Sequence, residues 1–125
     1  MNTHHELSLY LQQRGTLTSP LLIASFNAID RKEFVPYAFH DQAYEDYPLS
    51  IGEGQTISQP FTVAFMLALL ELREDDRVLD IGCGSGWPTA LLAHAASSGS
   101  VTALERIPRL LTLAKTNLST FSFGN

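Results

Sequence analysis

Cysteine is nearly absent from the chain. Cys83 is the single one among 125 residues, so no intramolecular disulfide can form. No Cys/His set has the spacing of a structural zinc site either. Basic residues are also scarce: 8 Lys and Arg stand against 13 Asp and Glu, for a net charge of −5. With a pI near 5.2 and no basic run, the chain lacks the clustered cations that a nucleic-acid binder needs. Long apolar runs are missing. The longest, Phe61 to Leu72, is interrupted by Thr62 and Glu71, and crossing a bilayer takes about 20 residues. Met1 to Glu6 is polar and has no signal-peptide pattern. These absences predict a soluble protein without a membrane partner, in a reducing, cytoplasmic setting. Four histidines (His4, His5, His40, His94) are scattered, the first two in an N-terminus expected to fray.

What is present suffices for one small domain. At 45% hydrophobic, 125 residues can bury one core but not two. Leu7 to Arg14 reads as a short helix stopped by Gly15. Ser19-Pro20 reads as an N-cap and first helical residue, with Leu22, Ile23, Phe26 and Ile29 at helical spacing through Asp30. Residues 31–59 carry Pro36, Pro48, Gly52 and Gly54 and five aromatics. They predict a long ordered loop with one short strand near Leu49 to Ile51, and loops of such length usually carry function. Pro60 opens a third helix, Phe61 to Leu72, apolar on nearly all sides and so expected to be buried on more than one face.

Arg77 to Ile81 reads as a strand, Trp87 to Ala96 as a helix, Val101 to Glu105 as a second strand, and Ile107 to Leu118 as a last helix. Strand, glycine-rich turn, helix and strand make one βαβ unit with a parallel pair. The expected class is α/β, doubly wound and Rossmann-like. It is expected to be truncated after the first βαβ unit and the following helix. Residues 1–59 would supply the N-terminal helices and a substrate-side loop region, and 60–125 the first half of the cofactor-binding domain, as one continuous domain.

In such a unit the turn after the first strand faces a ligand at the carboxyl end of the sheet, with the next helix's positive end toward it. The turn here is Gly82-Cys83-Gly84-Ser85-Gly86. A dinucleotide site asks for G-x-G-x-x-G, whereas this spacing is G-x-G-x-G, with Trp87 where the third glycine should stand. That weakens a nicotinamide cofactor and suits S-adenosyl-L-methionine. Glu105, at the end of the second strand, is an acceptor-only group able to take both ribose hydroxyls. Asp80 can either hold the cofactor's ammonium or cap the glycine turn. Cys83 reads as a small buried filler rather than a nucleophile.

Upstream lies Gly54-Gln55-Thr56-Ile57-Ser58-Gln59-Pro60, preceded by Phe34-Val35-Pro36 and Ala43-Tyr44-Glu45-Asp46. Together with Val78 to Gly86 and Glu105-Arg106-Ile107-Pro108, these segments resemble the protein-L-isoaspartate O-methyltransferases over roughly residues 20–125. The glycine turn is common to methyltransferases, while Thr56 to Pro60 points to this family. The resemblance implies a repair enzyme that methylates the free carboxylate of L-isoaspartyl residues in damaged proteins and peptides. The methyl donor is S-adenosyl-L-methionine. It maps the active-site serine onto Ser58 and the cofactor contacts onto Gly82 to Gly86 and Glu105. Beside these, Thr56 and Gln59 are expected to orient substrate and Asp80 to join the cofactor contacts. No metal is implied. Two departures stand out. Trp87-Pro88 replaces the family's frequent Tyr-Gln, so Pro88 removes one N–H near the cofactor. The family's later strands, acidic loop and C-terminal substrate segments have no counterpart here.

Position alone also allows Ser58 to be the N-cap of the helix from Pro60. Tyr44 and Tyr47 can line a peptide groove or fill core. A methyltransferase with a small-molecule substrate fits the glycine turn equally, though not Thr56 to Pro60. A cofactor-binding fragment, inactive alone or associated through its incomplete sheet edge, is the reading that length favours.

Overall fold

The computed structural model describes all residues, Met1 to Asn125. Helix α1 (His4–Gln13) begins earlier than its apolar pattern suggests, because Thr3 caps it: its hydroxyl accepts the Glu6 amide at 3.1 Å. His4 is not frayed. Its Nε2 lies 3.0 Å from the Asn27 carbonyl oxygen. Helix α2 (Pro20–Ala28) starts at the expected Ser19-Pro20 pair, with the Leu22 amide on the Ser19 hydroxyl.

Residues 31–59 hold more order than a loop. Two 3-10 segments, Arg31–Phe34 and Tyr37–Gln42, precede an antiparallel hairpin of β1 (Leu49–Gly52) and β2 (Gln55–Ile57). The turn sets three consecutive residues at positive φ, Gly52, Glu53 and Gly54, the local twist that closes a tight hairpin. β1 shows the alternation of a half-buried strand. β2 does not, because Gln55 and Thr56 are both exposed, and so periodicity missed it.

Helix α3 (Pro60–Leu69) packs Val63, Ala64 and Leu67 inward. The expectation of burial on several faces fails. Phe65, Met66, Leu69 and Leu70 are 51–68% exposed, since no element of the chain lies over that side. The helix also ends early, and Glu71 takes a left-handed conformation with φ 51°.

Strands β3 (Arg77–Ile81) and β4 (Ser100–Leu104) form a parallel pair, from Arg77 opposite Ser100 to Ile81 opposite Leu104. Helix α4 (Trp87–Ala95) joins them and α5 (Pro108–Leu118) follows. Seven of the nine residues of α4 are buried, because it lies between the β3–β4 sheet and α2. Trp87 meets Phe26 edge to face at 5.7 Å, a favoured aromatic geometry. This α/β architecture puts the glycine turn, the hairpin and the start of α5 at one end of the sheet. No helix is long and apolar enough to cross a membrane.

Candidate active site

The site is built on the carboxyl ends of β3 and β4. The amides of Gly82 and Cys83 both donate to the Leu104 carbonyl, at 2.8 and 3.1 Å. This turns the chain sharply off β3 and into α4. Gly86 stands at the N-cap with φ +96°, and a Cβ there would lie 3.3 Å from Leu118. The left-handed conformation favours glycine, and the close approach of Leu118 leaves little room for a side chain.

Glu105 leaves β4 and folds back over this turn. One carboxylate oxygen accepts the Gly84 amide at 2.9 Å, the other the Ile107 amide at 3.0 Å. Those main-chain donors, Ile107 first, hold its pKa below the ordinary glutamate value. The group is therefore a fixed anion, and each oxygen keeps acceptor capacity.

A cleft of about 550 Å³ opens here. Gly82, Gly84 and Glu105 line it from the glycine turn and the end of β4, Gln55 and Thr56 from β2, and Ile107 and Leu110 from the start of α5. Segments up to 59 residues apart in sequence, from Ile51 to Leu110, thus meet across one opening, with Ile51 closing its hairpin side. A second concavity of about 440 Å³ adjoins it through Ile81 and Gly82. That one holds Ser58, Asp80 and Pro88, and runs along the exposed Met66 of α3 and Leu70 at its C-cap. Asp80 accepts a hydrogen bond from the Thr89 hydroxyl at 2.6 Å, which braces the turn from the first residues of α4.

The sequence-predicted residues separate accordingly. Thr56, Gly82, Gly84 and Glu105 share the cleft, while Ser58 and Asp80 share the neighbouring concavity. Cys83 and Ser85 point inward and are buried. Burial, helped by Asp80 and Glu105, pushes the Cys83 thiol up, so it stays protonated near neutrality. Ser85 Oγ is buried without a partner. Its carbonyl takes the Asn117 amide group at 3.0 Å. Gln59 occupies the N-cap position of α3 and lines neither opening.

The capping role considered for Ser58 is not what the structure contains. No side chain caps α3 from its N-cap position. The Phe61 amide donates to Asp46 at 2.8 Å instead. Neither tyrosine lines the cleft or the concavity beside it. The buried Tyr44 donates to Asp30 at 2.9 Å, and burial raises its pKa above the ordinary range. Tyr47 bonds Gln42 at the surface. Sequence reasoning missed Gln55, Ile107 and Leu110 as cleft residues. Their only signal was adjacency to Thr56 and Glu105.

The model of the protein-L-isoaspartate(D-aspartate) O-methyltransferase family matches residues 2–125. The chain belongs to this family. It is 46% identical over 115 residues to protein-L-isoaspartate O-methyltransferase 1 of Rhodopseudomonas palustris, covering 92% of this chain and 46% of that relative. It is 50% identical over 98 residues to the protein-L-isoaspartate O-methyltransferase of Methanoculleus marisnigri, covering 78% and 44%. A crystal structure from Plasmodium falciparum, described as a protein-L-isoaspartate O-methyltransferase in complex with S-adenosyl-L-homocysteine, superposes with a TM-score of 0.84. The identity there is 28%, over 96% of this chain and 56% of that one. The chain thus spans about half the length of the curated relatives it matches. As a member of the family it carries, in one cleft, both the glycine turn and the strand bearing Thr56.

Proposed function

We propose that this chain carries the cofactor-binding and carboxylate-orienting parts of a methyltransferase. That enzyme moves a methyl group from S-adenosyl-L-methionine to the free carboxylate of L-isoaspartyl residues in damaged proteins and peptides. One observation carries the reading: β2 lays Thr56 against the same cleft as Gly82, Gly84 and Glu105.

The residues suit the cofactor. A Cβ at Gly82 would meet nothing within 4 Å, so the missing side chain leaves room for a ligand against the turn. Glu105 would take the ribose hydroxyls on its free lone pairs. Asp80, beside Ser58, would take the ammonium. When bound, the cofactor supplies an electrophilic methyl group.

The protein's own work is then positional. A substrate carboxylate, with a pKa of about 4, is already ionised at neutral pH and needs no general base. Ser58 and Thr56 donate hydroxyl hydrogen bonds that orient one carboxylate oxygen without removing its charge. Because an anion and a cation lose charge as they react, an enclosed, partly dry site favours the transition state. Holding the reacting atoms in line contributes most of the remaining acceleration. Such an enzyme would work in the cytoplasm, where Cys83 stays reduced.

A second reading has its own observation. The exposed Met66 and Leu70 share a concavity with Val78 to Ile81 of β3, which pairs on one side only, and Phe65 and Leu69 are exposed on the same helix. Such a surface favours association with another chain. Calorimetry with S-adenosyl-L-homocysteine and with NAD tests the cofactor assignment, and tighter NAD binding refutes it. Methyl transfer to matched isoaspartyl and aspartyl peptides tests the substrate.

A further inference from the structure

Arg31 is the one charged side chain that is fully buried, at 0% exposure. No carboxylate hydrogen-bonds it. Its Nη1 donates to the carbonyls of Ala43 and Glu45, at 2.9 and 3.3 Å, and its Nη2 to those of Tyr47 and Ser58, both at 3.1 Å. Burial lowers its pKa to about 10, so the guanidinium is still charged at neutral pH. A buried charge is costly unless its donors find partners; here four carbonyl dipoles take up the two Nη groups, while Nε is buried without a partner.

The placement of those carbonyls is informative. Tyr47 lies two residues before β1, and Ser58 directly follows β2. Nη2 therefore ties the two ends of the hairpin together at its base, where Leu49 opposes Ile57. The guanidinium carbon also lies 5.4 Å from the centre of the Trp87 ring, and Trp87 is the first residue of α4 after the glycine turn. One side chain thus bridges the strand leading to Ser58 and the helix leading from the cofactor turn. Only a planar, forked cation can reach four carbonyls while lying over an indole; a lysine ammonium donates from a single point.

We propose that Arg31 is a positioning residue, which fixes the main chain at Ser58 relative to the glycine turn so that substrate and cofactor groups are held as one rigid unit. The proposal rests on the methyltransferase reading for what Ser58 does, but not for what holds it. The test compares wild type with Arg31→Lys and Arg31→Met. Arg31→Lys is expected to keep S-adenosyl-L-homocysteine affinity within threefold. Its kcat on an isoaspartyl peptide should fall at least tenfold, with KM changed less. Amide exchange should quicken at least tenfold over residues 58–61 and stay unchanged at Leu91 in α4. Unchanged kcat per folded molecule, or exchange that quickens uniformly along the chain, overturns it.

If neither variant folds, side-chain NMR of the wild type decides. Separately resolved, slowly exchanging Nη protons coupled to the Tyr47 and Ser58 carbonyl carbons support the clamp, and a single averaged resonance refutes it. Wild type that binds S-adenosyl-L-homocysteine but shows no methyl transfer counts against the methyltransferase reading alone. The exchange pattern at residues 58–61 then still decides for or against Arg31.

Discussion

The carboxylate of Asp46 accepts the amide of Phe61 at 2.8 Å and thereby caps helix α3 from fifteen residues upstream. The same side chain accepts the Tyr10 hydroxyl at 3.1 Å, so it pins α3 to α1. Ser58, two residues before α3, is left out of the cap.

That division predicts opposite behaviour for two substitutions. Asp46→Ala should cost about 1 kcal/mol of stability, the usual size for a lost cap. Ser58→Ala should leave melting nearly unchanged and lower methylation of an isoaspartyl peptide more than tenfold, with about 1.4 kcal/mol per factor of ten. Ser58→Asp would repel the incoming carboxylate. A fully active Ser58→Asp enzyme would remove Ser58 from the chemistry.

Glu105→Gln should weaken S-adenosyl-L-homocysteine binding. An amide cannot accept on both arms, so either the Gly84 or the Ile107 contact is lost along with one ribose acceptor. Charge-assisted hydrogen bonds contribute about 1.5–3 kcal/mol each, so a loss of roughly 10- to 100-fold in affinity is expected by calorimetry. Equal affinities would place the ribose elsewhere.

The pH dependence follows from the same carboxylate. Glu105 has a folded pKa below its ordinary value of 4.5. Folding therefore favours the ionised form, and the stability it contributes is complete above the unfolded value. That contribution fades as pH falls through the depressed folded pKa. Wild type should lose melting temperature below about pH 4.5 more steeply than Glu105→Gln. Parallel acid melting curves for the two proteins would contradict this.

The apolar side of α3 predicts association. Met66 and Leu70 are 62% and 53% exposed beside the concavity that contains Ser58. Replacing both by lysine should shift the sedimentation of the chain toward monomer while leaving the fold intact. Wild type that is monomeric at every concentration would show that this surface is tolerated bare.

Much of this was legible in the sequence, for identifiable reasons. The β3–turn–α4–β4 unit announced itself because parallel strands read as short apolar runs and the glycines between them have few other uses, although Leu79, Ile81 and Leu104 are 50–75% exposed in this chain. The Ser19-Pro20 start of α2 was equally plain. The hairpin was half hidden, since exposed Gln55 and Thr56 give β2 no alternating pattern. α3 misled, because its composition describes a helix covered on several sides and this chain covers only one. At the site, Thr56 and Glu105 were found through motif and strand position. Arg31 was invisible: its partners are main-chain carbonyls scattered over residues 43–58, and carbonyls leave no mark on residue identity. The same holds for Asp46, whose capping contact crosses the whole hairpin.

The most direct measurement is transfer of labelled methyl from S-adenosyl-L-methionine to a matched pair of peptides differing only in an isoaspartyl or aspartyl linkage. The cleft shared by Thr56, Gly82, Gly84 and Glu105, with Ser58 beside it, predicts a base-labile label on the isoaspartyl peptide alone, reduced in Ser58→Ala. Equal labelling of both peptides, or none from a chain that binds S-adenosyl-L-homocysteine, would contradict the account.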